Sequence, residues 1–303
     1  MKYLFTFAFL TISAFGYITP AAAATPAANY NVGTIHVDRY GDRKPALILI
    51  PGLSSGAWAW DSVIAKFAPS YTIYALTLAG FDGQPSATAP LMPKVEADLV
   101  RLITEKHIDK PVIIGHSLGG TLAINFAEQH SNLLRAVIAV DGLPVFPGFE
   151  NMTSAQRAAA GSGMAAQMSG ATHDQFLAAM KNFVMPSMIT DKAASDRASI
   201  LSAKSDPKAS AEYIQEDINS DTRTDLNKIG VPLLEIAPFD ATIDSRAPES
   251  LANSAAKQTY YAGLLKNDPT AKVEIIAPSR HFLMIDQPQR LNAAIAAFLQ
   301  SIP

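Results

Sequence analysis

A run of apolar, β-branched residues, Lys110-Pro111-Val112-Ile113-Ile114, leads without a spacer into Gly115-His116-Ser117-Leu118-Gly119, and that pentapeptide leads directly into the helix-like stretch Gly120 to Glu128. A continuous apolar run of this length reads as a strand buried on both faces. The glycines flanking the turn let strand and helix approach closely, and they leave Ser117 on a sharp corner whose backbone must be strained. Strand, tight turn and helix in that order require a sheet edge with a helix folded back over one face.

The same rhythm fills much of the chain. Ala46 to Ile50 is an apolar run stopped by Pro51-Gly52, and a helix is expected from about Trp60 to Phe67. A strand at Tyr71 to Leu76 follows, then an amphipathic helix over Lys94 to His107, with Val95, Leu99, Leu102 and Ile103 on one side. Further strands are expected at Ala136 to Val140, Pro232 to Ala237 and Lys272 to Ile276, and a closing helix from Gln287 to Leu299. Val32 to Tyr40 reads as one exposed antiparallel strand ended by Gly41-Asp42. Fully apolar strands alternating with helices imply an α/β fold: a mostly parallel sheet with helices on both faces.

Between residues 142 and 227 that alternation stops. The segment is rich in Ala, Met, Ser and Gln, shows helix-like runs near 153–168, 173–184, 187–203 and 208–219, and is punctuated by Pro144, Pro147, Pro186 and Pro207. A helical insertion between two sheet strands is expected to act as a lid over the carboxyl edge of the sheet, where open α/β sheets bind ligands. Met164, Met168, Met180, Met185 and Met188 would give it an adaptable apolar underside. The expected organisation is a leader over 1–24, a core made of 25–141 and 228–303, and a helical cap over 142–227.

The leader reading rests on Lys2 as a positive start, the apolar stretch Tyr3 to Ile18, and the small residues Ala22 and Ala24 before a cleavage near Ala24. It predicts an exported protein, periplasmic or extracellular, with no stable membrane anchor after cleavage. The chain has no cysteine, so neither a disulfide nor a lipid-modified cysteine is available to it. A formal net charge of −3 over 303 residues gives no reason to expect a nucleic-acid partner. The histidines and acidic residues show no metal-ligand spacing, so no metal and no cofactor are expected.

A serine on a strand-to-helix turn, written Gly115-x-Ser117-x-Gly119, is a nucleophile elbow, and the helix start beside it places free amides where an oxyanion would form. With this elbow and the helical insertion, the chain from about Val32 to Leu299 resembles the α/β-hydrolase fold, in its serine-nucleophile branch with a helical cap. The resemblance implies an oxyanion hole from the backbone N–H groups of Leu53 and Leu118. Pro51 stands where that family usually writes histidine, and Trp60 matches an aromatic at the start of the first helix.

In that family the chain order is serine, acid, histidine. His36 and His107 precede Ser117, His116 lies in the elbow, His130 ends the elbow helix and His173 falls in the cap. His281, in the loop after the last strand, matches the family's histidine loop, with Arg280 where glycine is usual. For the acid, Asp240 is the first choice because it follows the strand ending at Ala237, although its loop is one residue shorter than the common spacing. Asp244 and Asp141, the latter at the end of the strand Ala136 to Val140, remain alternatives. The resemblance implies an acyl-enzyme reaction on a small-molecule acyl substrate, a carboxylic ester or lactone. Peptidase or cofactor-free perhydrolase chemistry is the alternative; an aminopeptidase would need an acid to hold the substrate amine, and Glu150, Asp174 or Glu212 could supply one. A non-catalytic binding protein on the same fold is a further reading.

Overall fold

The computed structural model describes residues 25–244 and 251–302, so the expected leader and its cleavage near Ala24 lie outside the described residues. Eight strands form one sheet: β1 (Ala28–Val32), β2 (Ile35–Tyr40), β3 (Ala46–Ile50), β4 (Thr72–Thr77), β5 (Val112–His116), β6 (Ala136–Val140), β7 (Leu233–Pro238) and β8 (Lys272–Ile276). Their spatial order is β1-β2-β4-β3-β5-β6-β7-β8. The β1–β2 and β2–β4 pairs are antiparallel, and β4, β3, β5, β6, β7 and β8 are all parallel.

The central strands β3, β5, β6 and β7 are buried along their whole length, as their unbroken apolar character requires, whereas the edge strands β1 and β8 alternate. Successive residues of β3 point to opposite faces. Ile48 and Ile50 join one core with Leu99, Leu102, Leu122 and Phe126, while Leu47 and Leu49 join the other with Trp60, Ile64, Leu291 and Ile295. The helices that cover these faces are α1 (Asp61–Phe67), α2 (Met92–Glu105), α3 (Leu118–His130) and α12 (Pro288–Ser301).

The expected strand Val32 to Tyr40 is two strands. Gly33 turns the chain between β1 and β2 with φ +56°, and Thr34 donates from its amide and hydroxyl to Asp98 of α2. An added Cβ at Gly33 would lie 1.8 Å from the Asp98 carboxylate, so only glycine fits that turn. The alternation breaks at this turn, since the apolar residues Val32 and Ile35 stand three apart across Gly33-Thr34, and that break is the sequence signal for the reversal.

Between β6 and β7 the chain forms α4 (Ser154–Ser169), α5 (His173–Ala179), α6 (Met185–Met188), α7 (Lys192–Ser202) and α8 (Pro207–Asn219). Thr153 and Thr172 cap α4 and α5, each exchanging hydrogen bonds with a glutamine three residues on. The expected run 187–203 is divided: α6 ends before Ile189, whose backbone is extended, and Asp191 caps α7. A single π turn over Met180–Val184 joins α5 to α6. After β7 come α9 (Ala241–Asp244), α10 (Ser254–Leu264) and α11 (Leu283–Asp286).

Candidate active site

Strand β5 carries Ser117 to the carboxyl edge of the sheet, and the turn holds it at φ 52°, ψ −122°, outside the regions a serine ordinarily occupies. Its amide donates to the Val140 carbonyl at 2.9 Å, which pins the corner to the neighbouring strand. The glycines are steric necessities. A Cβ on Gly115 would lie 2.0 Å from the Gly119 carbonyl oxygen, and one on Gly119 would lie 2.3 Å from the Ile50 oxygen. The turn after β3 passes directly over the serine, since a Cβ on Gly52 would lie 3.2 Å from the Ser117 Cβ. Leu53, the next residue, and Leu118, the first residue of α3, both border the cavity in front of Ser117. Among the described residues neither amide donates to another protein group, so both are available to a bound oxygen.

The structure brings His281 into the same cavity, on the loop between β8 and α11. Its Nδ1 lies 2.5 Å from Oδ2 of Asp141. The carboxylate can only accept, so Nδ1 carries the proton and Nε2 is left unprotonated to serve as a base. The expectation that Asp240 supplies this carboxylate is overturned, and Asp244 does not supply it either. Asp240 Oδ2 accepts from Arg280 Nε at 2.8 Å, and Oδ1 accepts from the amide and hydroxyl of Thr242. Asp244 is bound to the Asp240 amide and to Lys257 Nζ, 3.2 Å away. Both departures noted in the sequence, Arg280 in place of glycine and the short loop after Ala237, belong to this one arrangement: the residue before His281 turns away from the cavity and captures the acid expected to serve it.

Asp141 sits on the first residue after β6, with φ 53°, beside the elbow on the adjacent strand. Its second oxygen, Oδ1, accepts from the Tyr261 hydroxyl at 2.6 Å. Burial alone would raise the Asp141 carboxyl, but His281, Lys257 and the Tyr261 hydroxyl outweigh it and hold the carboxyl down at about 2. Its neighbour Glu235, on β7, is fully buried; burial first, and then the Asp141 charge, push that carboxyl well above the usual range and keep it neutral. Tyr261 lies in α10, a helix with no counterpart in the sequence reading, and the signal for it was the tyrosine pair Tyr260-Tyr261 within a capped stretch starting at Asn253.

His116 is a structural partner. Its Nε2 donates to the His281 main-chain carbonyl at 3.0 Å, tying the elbow to the histidine loop. Burial, assisted by the neighbouring His281, pushes its imidazole down to about 3, so it stays neutral.

The cavity has a volume of about 410 Å³. On the sheet side it is bounded by Ser117, Asp141 and His281, and on the other side by Met164, Met168, Met180, Met185 and Met188 from the helices between β6 and β7. Of the acids considered for holding an amine, Glu150, Asp174 and Glu212, none borders it; besides Asp141, the acid that does among the described residues is Asp217 of α8. Nothing distinguished Asp217 in sequence from the other charges of an amphipathic helix. Among the described residues no group of three or more His, Asp or Glu is placed to hold a metal ion.

Comparison with known proteins agrees with this architecture. The profile of the Alpha/beta hydrolase family matches residues 47–294. A pimeloyl-[acyl-carrier protein] methyl ester esterase of Proteus mirabilis is 31% identical over 110 residues, 36% of this chain and 41% of that protein. An sn-1-specific diacylglycerol lipase of Danio rerio is 23% identical over 87% of this chain and 80% of that protein. Uncharacterised mycobacterial relatives, 34% identical over 103 residues, are matched over 30% of their length. Among solved structures, a hydrolase from Pseudomonas aeruginosa superposes with a TM-score of 0.74 at 14% identity, covering 91% of this chain and 99% of that one.

Proposed function

Since this chain belongs to the alpha/beta hydrolase family, we propose that it is an exported serine hydrolase that cleaves a carboxylic ester or lactone of apolar character, with Ser117 as nucleophile, His281 as base and Asp141 as the acid. The observation that carries this reading is the strained Ser117 corner opening into the same cavity as a His281–Asp141 pair. Relatives described as esterase and lipase support ester chemistry. The apolar, methionine-lined wall supports an acyl group without charge.

In this reading Ser117 Oγ attacks the substrate carbonyl while its proton passes to His281 Nε2. Asp141 keeps the Nδ1–H tautomer and stabilises the imidazolium. The new oxyanion accepts hydrogen bonds from the Leu53 and Leu118 amides, at the positive end of α3. The proton then goes from His281 to the departing alkoxide, the C–O bond breaks, and an acyl-Ser117 ester remains. Water attacks that ester, giving its proton to His281, and Ser117 recovers it as the acid leaves.

A fluorophosphonate probe should label the protein at Ser117. Ser117→Ala should abolish both labelling and turnover of p-nitrophenyl esters, the latter by about 10⁴-fold or more. A Ser117→Ala protein that keeps a substantial part of the turnover overturns the assignment. Export is supported by Lys2, the apolar stretch Tyr3 to Ile18 and the small residues at Ala22 and Ala24. The amino-terminal sequence of the secreted protein checks it, with Thr25 expected first.

A further inference from the structure

We propose that Asp217 selects the substrate: from the cavity wall its carboxyl group accepts a hydrogen bond from a hydroxyl on an otherwise apolar acyl chain. This rests on the reading of Ser117 as the acylated residue. Apart from Ser117, the hydroxyls of the wall are already engaged. The Ser54 and Ser210 hydroxyls bond each other at 2.8 Å, Thr121 Oγ1 donates to the Leu143 carbonyl at 3.0 Å, and the Tyr261 hydroxyl serves Asp141. Asp217 is different. It is 7% exposed, it borders the cavity, and among the described residues no cation pairs with it.

Among the described residues, none of the charged groups on the elements packed around Asp217 pairs with it. Glu216, next to it on α8, accepts from the Leu91 and Met92 amides at 2.7 and 2.8 Å. Arg157 of α4 pairs with Asp221 at 3.2 Å and donates to the Met152 carbonyl, and Arg223 also binds Asp221. On the catalytic side, Asp141 and His281 hold each other. Burial pushes the Asp217 carboxyl up to about 7, opposed only by the Thr121 hydroxyl, whose single proton is shared with Leu143. A buried carboxyl with spare acceptor capacity gains most from a donor brought by the ligand.

The Thr121 amide bonds the Ser117 carbonyl, so Thr121 lies one turn along α3 from the nucleophile, roughly 5.4 Å along the helix axis. A hydroxyl close to the reacting carbonyl, as in a β-hydroxyacyl ester, is therefore the probe for this contact. A chain that ends in a carboxylate would bring a second anion into a cavity walled by methionines and Asp217.

Binding to the full chain carrying Ser117→Ala, which removes turnover, tests this by calorimetry. The ligands are methyl β-hydroxyoctanoate, methyl octanoate, methyl β-aminooctanoate and monomethyl suberate. The hydroxy ester should bind roughly tenfold tighter than methyl octanoate. That advantage should vanish when Asp217→Leu is added and persist at least in part with Asp217→Asn, whose amide oxygen still accepts. Loss with both variants, retention with both, equal affinities in the Ser117→Ala protein, or tighter binding of the ammonium or suberate ester would each overturn the proposal. Failure of the hydrolase reading is seen separately, as absence of fluorophosphonate labelling at an intact Ser117.

Discussion

A carboxylate orients His281 only if it can reach Nδ1, and the three acids that compete for that place in sequence, Asp240, Asp244 and Asp141, do not compete in space. Asp141 Oδ2 is at 2.5 Å, whereas both Asp240 oxygens are taken by Arg280 and Thr242. Asp141→Asn should therefore cut ester turnover by about 10⁴-fold, the loss the serine-protease triad suffers on that change, because the amide favours the wrong imidazole tautomer. Asp240→Asn should cost less than tenfold and act through the placement of the Arg280 loop. Steady-state kinetics on the two variants beside the parent checks this; equal losses would remove the distinction.

At the scale of elements, β5, the elbow and α3 form one tightly fitted unit. Gly115→Ala would push a methyl group to 2.0 Å from the Gly119 carbonyl, and the contact is backbone against backbone, with no side chain able to move aside. Strand and helix must then separate, and a loss of stability on the order of 3 kcal/mol or more is expected in urea denaturation, or failure to accumulate as folded protein. The helices between β6 and β7 allow more freedom. Met185 is 2% exposed, borders the cavity, and starts a short helix next to a π turn. Met185→Trp should shorten the pocket and shift preference toward short acyl chains, read as a fall in kcat/KM for p-nitrophenyl octanoate relative to p-nitrophenyl acetate. An unchanged ratio would place the acyl chain elsewhere.

For the whole molecule, the buried acids set how stability depends on pH. Burial raises the Asp217 and Glu128 carboxyls to about 7 in the folded chain, whereas unfolded carboxyls titrate near 4. Between those limits the folded state holds protons that the unfolded state has released, so these groups make stability fall as pH rises from about 4 to about 7, and level off above it. Asp141 works in the opposite sense: its folded value near 2 gives stability that is present above about 4 and lost as pH falls through about 2. Asp217→Asn removes one source of the falling limb. Compared with the parent, it should gain stability at pH about 8 relative to pH about 4.5, by about 3 kcal/mol. Thermal unfolding of both proteins at the two pH values measures it; a difference independent of pH would mean that Asp217 titrates normally.

The sequence by itself determined what is local. Apolar runs such as Leu47 to Ile50 and Ala136 to Val140 can only be central strands, because nothing else hides such residues on both faces. The elbow is equally local, since Gly115, Ser117 and Gly119 meet one another within a single turn, and chain order with loop position singled out His281. Tertiary structure alone decided what depends on partners distant in sequence. The Gly33 reversal is fixed by Asp98, the carboxylate at His281 Nδ1 comes from Asp141, 140 residues away, and Asp240 is held instead by Arg280 on another loop. Asp217 became a cavity residue only because α8 packs its last turn against α3. A carboxylate carries no mark in sequence of which cation or imidazole it will face; that is set by the order of strands in the sheet, where β6 lies beside β5 and brings Asp141 next to the serine.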